Sequence, residues 1–117
     1  MTVEVAVVGS PFLDLTFEGL PRIPAPGEEI LARALHVGPG GTGMQAIGLA
    51  RLGVTVALVG PLGSGPGADA LRAMFAAEGV RTAGDSTEAA TPTTAVLSTP
   101  QVTRLSSASS LLTGLAE

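Results

Sequence analysis

Asp14 is the first residue whose position in the sequence suggests chemistry. It follows an apolar, β-branched segment, residues 3–8, which has the length of a buried strand and is stopped by Gly9 and Pro11. A carboxylate just beyond the carboxyl end of a parallel strand lies where open α/β sheets bind ligands, and it could accept hydrogen bonds from two hydroxyl groups. An ordinary aspartate in a turn after Pro11 is the alternative that these residues leave open.

A glycine pair, Gly40–Gly41, is the second candidate, because it leads directly into a predicted helix that begins near Thr42. The first N–H groups of a helix have no intrahelical partner and could meet hydroxyl or anionic oxygens, and Thr42 could cap the helix there. A tight turn is equally compatible with the glycine pair.

Residues 38–43 also match the pattern GxGxxG before a helix, which is typical of dinucleotide binding. That pattern belongs directly after the first strand and requires an acid about 20 residues later. Here the first strand ends at Gly9, and residues 60–68 contain no acid. A dinucleotide-dependent oxidoreductase is therefore the least favoured of our hypotheses.

Missing side chains exclude several chemistries. The chain has no Cys and no Lys, which excludes thiol nucleophiles, lysine Schiff bases and a phosphate loop of the GxxxxGK[ST] type. His36 is the only imidazole, so His-rich zinc sites are excluded and we predict no metal site. We expect His36 to be a partly exposed strand or loop residue.

The composition predicts one globular domain or a piece of one. Of the 117 residues, 45% are hydrophobic and only 14% are charged, so the chain must bury much of its surface. A net charge of -4 without a basic cluster argues against nucleic acid as a partner. The chain has no apolar run of about 18 residues and no basic start, so we expect no membrane contact and a cytoplasmic location.

Strands alternate with helices in the pattern of a parallel α/β sheet with right-handed crossovers. From residue 15 to residue 39, four prolines predict short, exposed strands outside this sheet. Beyond Ala83, Ser and Thr are frequent and only residues 93–98 favour a strand, while residues 106–117 favour no particular structure. The elements predicted for the sheet are strands at 3–8, at 54–59 and from Val80, and helices from Thr42 to Gly53 and between residues 67 and 79.

Several short motifs, in this order, resemble the ribokinase-like (PfkB-type) carbohydrate kinases. Residues 5–14 (VAVVGSPFLD) are similar to the opening of that family, and residues 24–28 (PAPGE) resemble its P-x-P-G-E segment. Residues 40–46 (GGTGMQA) and 50–53 (ARLG) resemble the family's helix start and helix end. Residues 59–63, 76–80 and 91–94 then follow with the family's order and spacing, so the resemblance extends to about residue 98.

This resemblance implies an open, mainly parallel sheet with flanking helices plus a small β lid. Residues 1–14 and 40–80 would form the core, and residues 15–39 and 81–105 the lid. The implied reaction is ATP-dependent transfer of the γ-phosphoryl group, with Mg2+, to a hydroxyl of a sugar or nucleoside. Asp14 and the helix start from Thr42 to Gln45 would bind the sugar, and Gly40–Gly41 would be both a sugar contact and the hinge of the lid.

Departures from the family pattern weaken the expectation of activity. Phe12 and Gln45 each stand where ribokinases usually have Asn, which predicts a substrate other than ribose. Gly65 and Ala68 replace the usual Asp and Gly of their loop. The catalytic segment D-T-x-G-A-G-D is absent, so no catalytic residue is assigned. We therefore expect an incomplete N-terminal portion of a kinase, inactive alone and without tight binding of ATP or Mg2+.

A non-catalytic binding or assembly module is the alternative function. Exposed strands within residues 15–37 could pair with the same strands of a second copy, since unpaired strand edges favour such association and ribokinase-like lids can do this. The possible partners are thus a sugar or nucleoside and a second chain in a homodimer.

Overall fold

The computed structural model describes residues 2–84 and 87–100. Within them the chain forms two helices and two sheets of three strands each. Residues 106–117 and the end of the expected lid segment lie outside the described residues. The elements, in chain order, are β1 (Val5–Val8), β2 (Phe12–Glu18), β3 (Ala34–Gly40), α1 (Thr42–Arg51), β4 (Val56–Val59), α2 (Pro66–Ala77), β5 (Arg81–Ala83) and β6 (Thr93–Leu97).

The first sheet has the strand order β1-β4-β5, and both pairs are parallel. Val5 pairs with Val56, and Ala57 pairs with Arg81. The predicted parallel α/β arrangement is therefore confirmed. The strand predicted from Val80 is β5, so the lid boundary that the resemblance implied at residue 81 requires correction: Arg81–Ala83 forms the third strand of this sheet. The reason is that Val80, which is 5% exposed, is buried directly after α2 and returns the chain to the sheet.

Both helices cover the same face of the first sheet. Val56 and Leu58 point toward them and are each 1% exposed, and Phe75 of α2 is fully buried. A Cβ atom at Gly43 of α1 would lie 2.9 Å from Cζ of Phe75, so the two helices are in direct contact. When successive parallel strands are added in one direction across a sheet and every crossover is right-handed, the connecting helices all lie on the same face of the sheet.

The opposite face of this sheet is apolar and largely open. Val8 is 74% exposed and pairs with Val59, and exposed Ala6 pairs with Ala57. Parallel sheets normally have both faces covered, so this face is unusual for its class. Helix α1 is only partly covered, since Met44 is 61% exposed. Its buried residues are Gly43, Ala46 and Ile47.

Helix ends follow the glycine signals in the sequence. After α1, the N–H of Gly53 donates to the carbonyl of Ala50 and the N–H of Val54 to that of Leu49, and Gly53 has a φ of +90°. This is the Schellman arrangement, which requires a left-handed residue. At the start of α1 the prediction of a threonine cap is wrong. Gly41 is the N-cap, Thr42 is the first helical residue, and no side chain caps the helix.

The strands of the first sheet end in glycines that lie against one another at the carboxyl edge. Three glycines, Gly9, Gly60 and Gly84, each come directly after the last residue of a strand of this sheet. A Cβ atom at Gly60 would lie 2.0 Å from the carbonyl oxygen of Gly9, and one at Gly84 would lie 2.8 Å from that of Gly60. The backbones can approach this closely only because these residues lack side chains.

The second sheet has the order β3-β2-β6, so β3 is an edge strand. An edge position explains how Pro39, which has no N–H to donate, is accommodated inside β3. His36 is exposed on this strand, as expected, and its Nε2 lies 2.5 Å from Oε2 of Glu18. The prediction of short, exposed strands outside the main sheet is confirmed for β3.

The chain divides into two compact units. The first unit contains Met1–Asp14 and Gly38–Thr94, and therefore the whole first sheet and both helices. The second unit contains Leu15–Val37 and the described residues from Ala95 onward. Neither helix of the described residues has the length and apolar composition needed to cross a lipid bilayer.

The second unit contains the motif that resembles P-x-P-G-E, and its acid has a structural role. Glu28 accepts hydrogen bonds from the guanidinium of Arg22, one of them 2.7 Å long, and from the N–H of Ala25 at 3.0 Å. These hydrogen bonds, foremost that from Arg22, lower the pKa of Glu28 from its ordinary 4.5 to about 2. Glu28 is thus used to close a turn.

We predict that Gly60→Ala destabilises the protein by about 2–4 kcal/mol, because the new methyl group would collide with the carbonyl of Gly9. Gly48→Ala is the matched control, since a Cβ atom there meets nothing within 4 Å and the residue lies inside α1. The control should be neutral or stabilising by up to about 1 kcal/mol. Urea denaturation measures both changes. Equal stability of the two variants would contradict the close contact of Gly9 with Gly60.

Candidate functional site

Asp14 lies inside a strand, and not in the turn that the sequence allowed. β2 begins at Phe12, so Asp14 is its third residue. The N–H of Leu13 donates to the carbonyl of Pro92 at 2.9 Å, which aligns β2 with the start of β6. The hydroxyl of Thr94 then donates to Oδ1 of Asp14. No residue in the described part of the chain bonds to Oδ2, so this carboxylate retains an acceptor for a ligand.

Gly40 and Gly41 form the junction between β3 and α1. Gly40 is the buried last residue of the strand. Gly41 has φ 60° and ψ -128°, a backbone conformation that favours glycine. Both lie within the first unit, whose boundary with the second falls between Val37 and Gly38. Their role as a hinge stays a prediction.

The ring of Phe12 covers both glycines. A Cβ atom at Gly40 would lie 2.0 Å from Cε2 of the ring, and one at Gly41 would lie 2.9 Å from Cε1. The ring therefore spans the peptide that joins them and fills the space that side chains would take. From the sequence, Phe12 appeared only as a departure from a family pattern. The contact depends on how β2 and β3 align, which the sequence does not show.

Thr42 connects the start of α1 to the end of β1. A Cβ atom at Gly9 would lie 2.6 Å from Cγ2 of Thr42, so the methyl group packs directly on the Gly9 backbone. The hydroxyl oxygen of Thr42 is buried and has no hydrogen-bond partner among the described residues. A buried hydroxyl without a partner is uncommon in native proteins, and a ligand atom would satisfy it.

Gln45 lies on the exposed side of α1, and its N–H is 3.4 Å from the carbonyl of Gly41. Phe12, two residues before Asp14 on β2, contacts the glycine pair, and Thr42 lies beside Gly9. The binding roles of Asp14, Gly40, Gly41, Thr42 and Gln45 stay predictions.

These groups can bind hydroxyls but supply few catalytic functions. Asp14 offers a charged acceptor, and the uncapped start of α1 offers backbone N–H donors. Among residues 2–84 and 87–100 there is no group of three or more His, Asp or Glu that could hold a metal ion.

An open cleft of about 380 Å³ lies elsewhere, within the second unit. Arg33, Glu18 and Ser98 are among its lining residues. None of the predicted site residues lines it.

Comparison with known proteins identifies the family. The sequence pattern of the pfkB family of carbohydrate kinases matches residues 3–108, so the chain belongs to this family. None of the curated proteins compared with the chain matches it in sequence.

Solved structures similar to this chain include several sugar kinases. A ribokinase from Cryptococcus neoformans, solved with ADP, is 29% identical over 86% of this chain with a TM-score of 0.64. A fructokinase from Xylella fastidiosa with bound ATP is 31% identical over 80% of this chain, with a TM-score of 0.63. A ribokinase from Giardia lamblia, 20% identical over 86% of this chain, shares the fold with a TM-score of 0.73.

The chain spans about a third of the length of these structures. The matched share is 32% of the Cryptococcus ribokinase, 29% of the fructokinase and 33% of the Giardia ribokinase. These comparisons confirm the ribokinase-like fold, with its mainly parallel sheet and flanking helices.

We predict that Gly40→Ala destabilises the protein by about 2–4 kcal/mol, because its methyl group must displace the ring of Phe12. Gly38→Ala, in the same strand but with nothing within 4 Å of the new Cβ, should change stability by less than about 0.5 kcal/mol. Combining Gly40→Ala with Phe12→Ala should be less destabilising than the sum of the single changes, by at least about 1 kcal/mol. Chemical denaturation of all four variants measures this coupling. Strict additivity would contradict the contact between ring and glycine.

Proposed function

We propose that this chain is the sugar-binding N-terminal portion of an ATP-dependent kinase that transfers the γ-phosphoryl group to a hydroxyl of a sugar or nucleoside. The observation that carries this proposal is the carboxylate oxygen of Asp14 to which no described residue bonds, on the strand whose Phe12 covers the glycine pair before α1. Membership of the pfkB family supports phosphoryl transfer as the reaction of the whole enzyme. ADP in the ribokinase and ATP in the fructokinase support ATP as the donor.

Each predicted site residue has a proposed role in binding. Asp14 accepts hydrogen bonds from sugar hydroxyls through the carboxylate oxygen that Thr94 leaves free. The buried hydroxyl of Thr42 and the first N–H groups of α1 bind a further sugar oxygen. Gly40 and Gly41 contact the ring of Phe12 and act as the hinge between the lid and the core. Gln45, exposed on the first turn of α1, donates or accepts a further hydrogen bond through its side-chain amide.

We propose that the chain alone does not catalyse the transfer. Phosphoryl transfer depends on positioning the phosphoryl group and neutralising its charge, and the chain has no Lys and none of the family's catalytic segment. ATP and Mg2+ would therefore be held by residues of a longer protein. The open apolar face of the first sheet, with Val8 74% exposed, supports the existence of further polypeptide that covers it.

Assembly through the second sheet is the alternative function. Leu35 and Val37 of the edge strand β3 are 52% and 44% exposed, and Leu31 just before it is 94% exposed. Apolar side chains on an unpaired edge favour association with a second copy. Association of this kind would make the apparent mass in light scattering rise with protein concentration.

We predict that Asp14→Asn weakens sugar binding about 10- to 100-fold, because a charged acceptor of hydroxyl protons is lost without a change of shape. Asp69→Asn is the matched control, since the side chain of Asp69 is 80% exposed on α2. It should leave the affinity unchanged. Ligand-observed NMR titrations with a panel of pentoses, hexoses and nucleosides measure both. The proposal fails if no polyol binds the unmodified chain, or if Asp14→Asn binds as tightly as the unmodified chain.

A further inference from the structure

Phe12 and Asp14 project from the same face of β2. Successive side chains of a strand alternate between its faces, and Leu13, between them, is only 9% exposed. Two strand residues separate the side chains by about 6.6 Å, which is comparable with the width of a sugar ring. A polyol bound by the carboxylate of Asp14 therefore extends past the ring of Phe12.

The ring of Phe12 is half-buried, and its position is fixed by the backbone of Gly40 and Gly41. The Cε2 atom of the ring lies on the side of Gly40, and the Cε1 atom lies on the side of Gly41. The ring packs against the junction between β3 and α1. It therefore presents an apolar surface beside the start of α1.

No other aromatic residue can take this role. The chain has three Phe and neither Tyr nor Trp. Phe75, on α2, is fully buried. Phe17 is five residues from Phe12 on the same strand, so alternation places it on the opposite face of β2.

We propose that Phe12 is a specificity-determining residue of this site, and that it selects polyols carrying an apolar carbon, CH2 or CH3, beside the hydroxyls bound by Asp14. A ligand hydroxyl placed against the ring would lose its water and find no donor or acceptor on the hydrocarbon surface. A deoxy carbon at that position loses nothing and gains contact with the ring. The substrate class is therefore a deoxy sugar. This inference rests on the proposed function and narrows it.

The experiment compares pairs of sugars that differ by one hydroxyl. Suitable pairs are D-ribose with 2-deoxy-D-ribose, L-galactose with L-fucose, and L-mannose with L-rhamnose. Dissociation constants are measured by ligand-observed NMR titration of the full chain and of Phe12→Asn, Phe12→Leu and Phe17→Leu. Phe12→Asn introduces a polar amide, Phe12→Leu keeps the surface apolar, and Phe17→Leu controls for loss of a phenyl group from the same strand. Thermal unfolding followed by circular dichroism shows which variants are folded.

We expect the unmodified chain to bind the deoxy member of at least one pair about 10- to 100-fold more tightly than its hydroxylated partner. Phe12→Asn should reduce this ratio to about 3-fold or less, or reverse it. Phe12→Leu and Phe17→Leu should preserve it. The ratio in the unmodified chain needs no variant, so the inference can be tested even if Phe12→Asn does not fold.

Two results would overturn the inference, and they are distinguishable. The proposed function stands if sugars bind the unmodified chain and Asp14→Asn abolishes this binding. The inference about Phe12 nevertheless fails if the unmodified chain shows no preference for deoxy sugars, or if Phe12→Asn leaves that preference unchanged. If no sugar binds the unmodified chain, the proposed function fails and the inference fails with it.

Discussion

The contact between the carbonyl of Gly9 and the backbone of Gly60 is the constraint on which the first unit depends. It closes the carboxyl edge of the parallel sheet at a distance that no side chain permits. The methyl group of Thr42 packs on the same Gly9, so the start of α1 is held against the end of β1. The backbone donors of α1 therefore lie at the edge where open α/β sheets bind ligands.

Phe12 adds a second constraint to this edge. Its ring occupies the space above Gly40 and Gly41, so in the proposed site it would present hydrocarbon to a ligand. Asp14, two residues further along β2, would supply the charge. A charged acceptor beside an apolar surface distinguishes ligands by the positions of their hydroxyls more sharply than either group would alone. In the proposed site, binding and selectivity therefore both depend on β2.

The parts of the fold that could be predicted are those with strong local signals. Apolar, β-branched runs indicated β1 and β4, and Gly53 and Gly79 marked the ends of both helices. Residues 13–18 of β2 do alternate between apolar and polar side chains, but Gly9 and Pro11 indicated a turn before them, so Asp14 was expected beyond a strand and is inside one. The strand predicted from Val80 is β5, although its three residues are all exposed and too few for a periodic signal. Its position in the sheet depends on pairing with β4.

Asp14 and the glycine pair of the candidate site could be selected from their sequence positions, because chemistry and turn preferences are properties of single residues. The contact of Phe12 with the glycine pair and the burial of the Thr42 hydroxyl could not be predicted, because they arise from contacts between segments far apart in the chain. The Phe12 contact requires the alignment of β2 with β3, and the Thr42 contact requires the closure of the sheet edge.

We propose that the polyol site lies at the carboxyl edge of the first sheet, around Asp14 and the start of α1. Mapping of backbone amide chemical shifts by 15N–1H NMR during titration with a sugar locates the site. We expect concentration-dependent shifts at Asp14, Gly41, Thr42 and Thr94, and none at Glu28 or Arg33 in the second unit. Shifts confined to Glu28, Arg33 and their neighbours, with the first group unchanged at saturation, would contradict it.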